Sequence, residues 1–176
     1  MLRSILALAV AAAALIAAPK EAPAAETCFR ACLKAKMTAP DIDDQAIRDL
    51  MRGCRDACQN DAEARLKAEG LGDKLAACVP EPVDDADVKK VRSASPSVVA
   101  FANAFTWDVN NVLPGKIIRR VEILTQSLSL AEVTLSAGGI VGPGESGTFL
   151  ISNVTDGYPS MRVTSRIKAI YACSLD

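Results

Sequence analysis

The stretch Thr27–Asn60, TCFRACLKAKMTAPDIDDQAIRDLMRGCRDACQN, holds two Cys-x-x-x-Cys units, Cys28/Cys32 and Cys54/Cys58. A spacing of four residues puts both thiols of a unit on one face of a helix. Ala35 extends the stripe begun by Cys28 and Cys32. Ile47, Leu50, Met51, Cys54 and Cys58 form a second stripe at helical spacing. Between the stripes, Thr38–Asp41 contains Pro40 and lies among Asp residues, which is the chemistry of a turn and a new helix start. The pattern predicts two antiparallel helices that face each other through their cysteines.

Antiparallel packing selects an outer bridge, Cys28 with Cys58, and an inner bridge, Cys32 with Cys54. The lengths are compatible. Cys32 to Met37 rises roughly 8 Å and Ile42 to Cys54 roughly 18 Å. A four-residue link covers the difference of roughly 10 Å when extended. Each bridge is expected to contribute on the order of 3 kcal/mol by chain-entropy reasoning. A short helix pair has little core of its own and needs such staples. The segment resembles, in architecture, the twin Cys-x-x-x-Cys helical hairpins of small chaperones of the mitochondrial intermembrane space. Cys28, Cys32, Cys54 and Cys58 carry that resemblance, which implies a stapled hairpin; the interval between the units is longer here.

Working outward toward residue 1, Arg3 precedes an uncharged apolar run, Ile5–Ala18. This run is too short to span a bilayer comfortably. Ala22-Pro23-Ala24 then offers small residues where a signal peptidase cuts. The expectation is a signal peptide over residues 1–24, cleaved after Ala24, with no membrane span thereafter. A retained anchor is the alternative. The Ala-rich run points to a bacterial envelope, hence a periplasmic or secreted protein. All six cysteines lie beyond the cleavage point. An even count in an exported chain reads as a disulfide framework, although six thiols allow fifteen pairings.

The chain contains no His. This removes Ser-His-Asp triads, Cys-His nucleophile pairs and His-ligated metal or haem sites. No paired acidic motif stands out either. Charge is nearly balanced at −1, and no basic run is interleaved with aromatics, so nucleic acid is not an expected partner. A redox catalyst would be expected to show Cys-x-x-Cys at a helix start, which is absent. Thiolate metal binding is disfavoured by an oxidising compartment. No catalytic residue, cofactor or metal is therefore assigned.

Toward the other end, Gly70 and Gly72 break the helical pattern. Asp73 is expected to cap a short helical piece ending near Cys78. Pro80–Pro96 reads as a connection between a hairpin unit, 25–79, and a β unit, 97–176. Its acidic cluster, Asp84-Asp85-Ala86-Asp87, reads as a helix N-terminus and not as a calcium loop. From residue 97 the period becomes two. Val99, Phe101, Phe105, Trp107 and Val109 are expected on one strand face, with Trp107 in the core. Ile117, Val121 and Ile123 follow the Pro114-Gly115 turn.

A phase slip between Leu130 and Val133 indicates a bulge or a strand break near Ala131. Gly138–Gly147 reads as a loop, and Phe149 and Ile151 as a short strand. After the Asp156-Gly157 turn, Met161, Val163, Ile167, Ala169 and Tyr171 alternate with polar residues. Tyr158 is a candidate loop contact, and Asn153-Val-Thr155 matches a glycosylation sequon relevant only in a eukaryotic host.

Several short strands with Pro-Gly and Asp-Gly turns argue for an antiparallel β-sandwich. Asn110-Asn111 and Gly142-Pro143-Gly144-Glu145 before Phe149 resemble features of bacterial immunoglobulin-like envelope domains of the FxLYD type. That resemblance implies an extracytoplasmic binding or structural module. The remaining thiols, Cys78 and Cys173, are expected to clasp the two halves together. The fold class read from the sequence is α+β: a disulfide-stapled helical hairpin followed by a small immunoglobulin-like sandwich. The function read from it is non-enzymatic contact with another envelope or extracellular protein. The alternatives are a thiol–disulfide relay or redox sensor using one Cys-x-x-x-Cys unit, and a chaperone or inhibitor whose hairpin grips a partner.

Overall fold

The computed structural model describes residues 26–38, 42–96, 98–101, 103–126, 131–152 and 165–175. Several expectations fall outside them: the signal peptide, the centre of the Thr38–Asp41 turn, the sequon, the Asp156-Gly157 turn, Tyr158, and the strand before Ser165.

Helix α1 spans Cys28–Lys36 and α2 spans Asp44–Ala68. Each starts on a side-chain cap. The Thr27 hydroxyl accepts from the Arg30 amide, and the Asp43 carboxylate accepts from the Ala46 amide at 2.8 Å. Such caps satisfy amide groups that a helix start leaves without partners. Disulfides join Cys28 to Cys58 and Cys32 to Cys54, with Cα–Cα distances of 5.9 and 5.7 Å. The stapled hairpin expected from the spacing is present.

Helix α2 ends in a left-handed glycine cap. Gly70 sits at φ +78°, its amide donates to the Lys67 carbonyl, and the Leu71 amide donates back to the Leu66 carbonyl at 2.9 Å. Leu71 packs on Leu66, completing a Schellman motif. Helix α3, Gly72–Ala76, follows at once. Its N-cap is Leu71 and no side chain caps it, so Asp73 lies in the first turn and is not the cap expected from the sequence.

The stretch expected as a connection is structured and integral to the β unit. Strand β1, Glu81–Pro82, pairs with the last strand. Helix α4, Asp85–Ala94, is capped by Asp84, which accepts from the Asp87 amide at 2.7 Å. The acidic cluster is thus a helix N-terminus. Val91 of α4 is fully buried in the main core, with Val83 and Val88 against it. The polar composition that suggested a connection belongs to the solvent face of α4.

Strands β2 (Val99–Phe101), β3 (Ala104–Asn110), β4 (Lys116–Gln126), β5 (Glu132–Val141), β6 (Ser146–Ser152) and β7 (Arg166–Ser174) complete the fold. They form two antiparallel sheets, ordered β1-β7-β4-β5 and β2-β3-β6. Between the sheets lie Phe105, Trp107, Val109, Phe149 and Ile151 from one side. Ile118, Val121, Ile123, Ile167 and Ile170 come from the other. The α+β class holds: a stapled helix pair followed by a two-sheet sandwich.

Three strand expectations are corrected. Residues 99–109 are not one strand, because the chain reverses at Asn103 (φ +57°) and pairs Phe101 with Ala104. Phe105, Trp107 and Val109 enter the core, whereas Val99 and Phe101 on the sheet edge are about half exposed. Gly138–Gly147 is not a loop, since β5 continues to Val141 and only Gly142–Glu145 turns. Gly139 serves packing: a Cβ there would come within 2.6 Å of the Phe149 ring. Finally, the pairing of β4 with β7 shifts register between Glu122 and Ile123. The buried set of β7 is therefore Ile167, Ile170, Ala172 and Cys173, and Tyr171 is only half-buried. Residues 127–130, on which the expected slip near Ala131 turns, lie outside the described residues; on either side of them Gln126 of β4 pairs with Glu132 of β5.

Candidate functional site

The hairpin is docked on the sandwich. Phe29, Leu33, Ile47, Met51 and Cys54 bury against Ala104 and Leu150 on the outer face of β3 and β6. Further along, Leu66 and Leu75 cover Ile117 of β4. The length of α2, 25 residues, lets one helix reach both sheets.

A polar network crosses the first of these contacts. The Arg30 guanidinium donates from Nε to Asp108 Oδ2 at 2.9 Å and from Nη2 to Thr106 Oγ1 at 3.0 Å. Thr148 Oγ1 donates to Asp108 Oδ1 at 2.6 Å and meets Thr27 Oγ1 at 2.9 Å. Thr27 and Thr106 are buried, so these hydroxyls require such partners. The sequence reading missed this network. Its only sequence signal is the run of polar residues on the face of β3 opposite Phe105 and Trp107.

The third disulfide joins Cys78, just after α3, to Cys173 on β7, with a Cα–Cα distance of 5.7 Å. None of the six thiols is free. The outer bridge is the accessible one: Cys28 is exposed and Cys58 half-buried, while Cys54 of the inner bridge is fully buried. Cys28 and Cys58 also line a cavity of about 30 Å³ with Arg55, Gln59 and Arg65.

Two charged clusters stand apart from this interface. Asp87 is buried to 8% exposure and accepts from Lys90 and Lys116, both at 2.8 Å. The hydrogen bond from Lys116, then that from Lys90, hold its carboxyl below the usual range. On the four-stranded sheet, the Arg120 guanidinium lies 3.7 Å from the centre of the Tyr171 ring. The Tyr171 hydroxyl donates to Glu122 Oε1 at 2.9 Å, and this bond raises its pKa. Lys168 extends the cluster, with its Nζ 3.8 Å from Glu122 Oε2.

Asn110 and Asn111, singled out in the sequence, organise one end of the sandwich. Asn111 is 1% exposed, and its amide donates to the carbonyls of Lys116, Val141 and Gly142 at 2.8, 2.9 and 3.0 Å. Glu145 accepts from the Gly142 amide and pairs with Arg65 of α2 at 3.1 Å. Trp107 is 2% exposed and donates from Nε1 to the Pro96 carbonyl at 3.0 Å, as befits a core residue.

Among the described residues, no group of three or more His, Cys, Asp or Glu side chains is placed to hold a metal ion. No described helix is long and apolar enough to cross a membrane. Comparison with family models, curated proteins and solved structures found no match.

Proposed function

We propose that this protein is an exported, non-enzymatic module that works through contact with another envelope or extracellular protein. Three disulfides support an oxidising compartment. The apolar run before Ala24 and the cleavage pattern support a bacterial periplasmic or secreted destination. The sandwich is read as an immunoglobulin-like envelope domain on the strength of Asn110-Asn111 and Gly142–Glu145.

One observation carries the contact surface. Arg120, Tyr171 and Glu122 form an ordered cluster on the four-stranded sheet, with the Arg120 side chain 43% exposed. Arg and Tyr are the residue types that concentrate binding energy at protein interfaces. A ring held by a stacked cation and a fixed hydroxyl loses little freedom on binding. The test is capture of partners by the mature oxidised protein from its own envelope, with and without Arg120→Ala/Tyr171→Ala. The reading requires a defined partner that the double variant loses while its melting transition persists. A partner set unaffected by the substitutions would remove this surface, and turnover of a substrate by the purified protein would remove the non-enzymatic reading.

The exposure of Cys28 favours a second reading, a thiol–disulfide relay through the outer bridge. A measured reduction potential separates the two. A structural Cys28–Cys58 bridge lies below about −300 mV, and a relay bridge is more oxidising.

A further inference from the structure

We infer that the cleft between the end of α4 and the start of β7 is a binding site for a small organic carboxylate with a flat apolar body. The cleft has a volume of about 240 Å³ and is lined by Arg92, Ser95, Pro96, Val98, Trp107, Ser165, Arg166 and Ile167. Trp107, Val98 and Ile167 make its apolar part. Among the described residues its charged lining is cationic, Arg92 and Arg166, with no carboxylate beside them. Half of the described lining is polar, Arg92, Ser95, Ser165 and Arg166, and half apolar, so polar groups are placed to orient a ligand that also touches apolar side chains. The site is distinct from the proposed contact surface around Tyr171 and does not depend on it.

The two guanidinium groups are available. Among the described residues Arg92 has no ion pair, and Arg166 pairs only with Glu132, at 3.9 Å, with both side chains about two-thirds exposed. An exposed pair of that length contributes little and yields readily to a closer anion. Guanidinium groups match carboxylates through two parallel N–H donors.

A helix C-terminus ordinarily repels an anion through its free carbonyls. Here the last carbonyl of α4, that of Ala94, and the Pro96 carbonyl just beyond the helix are occupied. Ser93 Oγ donates to the Lys90 carbonyl, Asn110 Nδ2 to that of Ala94, and Trp107 Nε1 to that of Pro96. The same bond pins the indole, so the apolar wall is fixed before a ligand arrives.

The chain has a single tryptophan, so Trp107 reports directly from the cleft. The experiment titrates the oxidised mature protein with benzoate, benzamide and benzylamine, reading Trp107 fluorescence and, independently, the heat of titration. Benzoate should bind saturably with Kd below about 1 mM. Benzamide should bind at least about tenfold more weakly and benzylamine not measurably, since neither satisfies the guanidinium pair. Raised salt should weaken benzoate. Arg92→Gln/Arg166→Gln should also weaken it by roughly tenfold or more without shifting the melting temperature, because both side chains are exposed. Absence of saturable binding by both readouts overturns the inference. So does equal affinity for benzoate and benzamide, or parental affinity in the double variant.

Discussion

Asn111 joins three segments of backbone through one side chain. Its amide serves the carbonyls of Lys116, Val141 and Gly142, and its Oδ1 accepts from the Leu113 amide at 3.1 Å, all at 1% exposure. Removing it leaves buried acceptors without donors, each costing about 1–3 kcal/mol. Asn111→Ala should therefore lower stability by about 3 kcal/mol, readable as a shifted urea midpoint with an unchanged slope. Asp87 poses a different test. Its carboxyl is held below the usual range by Lys116 and Lys90, so its protons are bound more weakly in the folded state than in the unfolded one. The stabilisation is thus present above the unfolded pKa of about 3.9 and lost as pH falls through the lowered folded value. Asp87→Asn should be less stable than the parent at neutral pH, and the gap should close below about pH 4. Melting temperatures across pH 2–7 check this, and a gap that widens on acidification would contradict it. Both residues were visible in the sequence only as types, an Asn pair and an acid in a cap. Lys116, which holds Asp87, and Val141 and Gly142, which accept from Asn111, lie 29 to 31 residues along the chain, and a local pattern does not encode such partners.

At the scale of elements, two glycines of α2 and its cap should respond to the same substitution with opposite sign. Gly53 lies inside the helix, exposed, and a Cβ there meets nothing within 4 Å. Gly53→Ala should stabilise by about 0.5–1 kcal/mol through helix propensity and a less free unfolded chain. Gly70 sits at φ +78° in the Schellman cap, where a Cβ is strained whatever the space. Gly70→Ala should destabilise by about 1 kcal/mol. Thermal melts of the two single variants decide it. The contrast also shows which elements were legible. The stapled helices were, because a spacing of four has one meaning on a helix and the cap at Gly70 closes a long periodic run. The strands were less so, because their faces depend on partners. The register shift opposite Glu122 regroups the buried residues of β7, and the Phe149 ring requires Gly139 of β5, in a stretch that reads locally as a loop. Three short, half-exposed residues of β2 carry too little alternation to separate them from β3.

For the whole molecule, the sequence offers two halves joined by a stretch of polar residues and a clasp. The folded chain has more that binds them. The hairpin shares a buried cluster with Ala104 and Leu150, Arg30 bridges to Asp108, Leu66 covers Ile117, and the intended connection contributes Val91 to the sandwich core. The hairpin thus buries its apolar stripe on the sheet as well as between its own helices, a contact that periodicity announces as a buried face without naming what covers it. A consequence follows for the Cys78–Cys173 bridge, which spans a sequence separation of 95. Chain entropy assigns a loop of that size up to about 4.7 kcal/mol. Cys78→Ala/Cys173→Ala should accordingly melt at a clearly lower temperature. Yet the shared clusters keep helices and sheets in one cooperative unit even without the clasp. Helical circular dichroism and Trp107 fluorescence, one reporting α1 and α2 and the other the sandwich core, should give coincident transitions in the double variant. Two separated transitions, with the hairpin outlasting the sandwich, would mean that the clasp and not the buried interface unites the molecule.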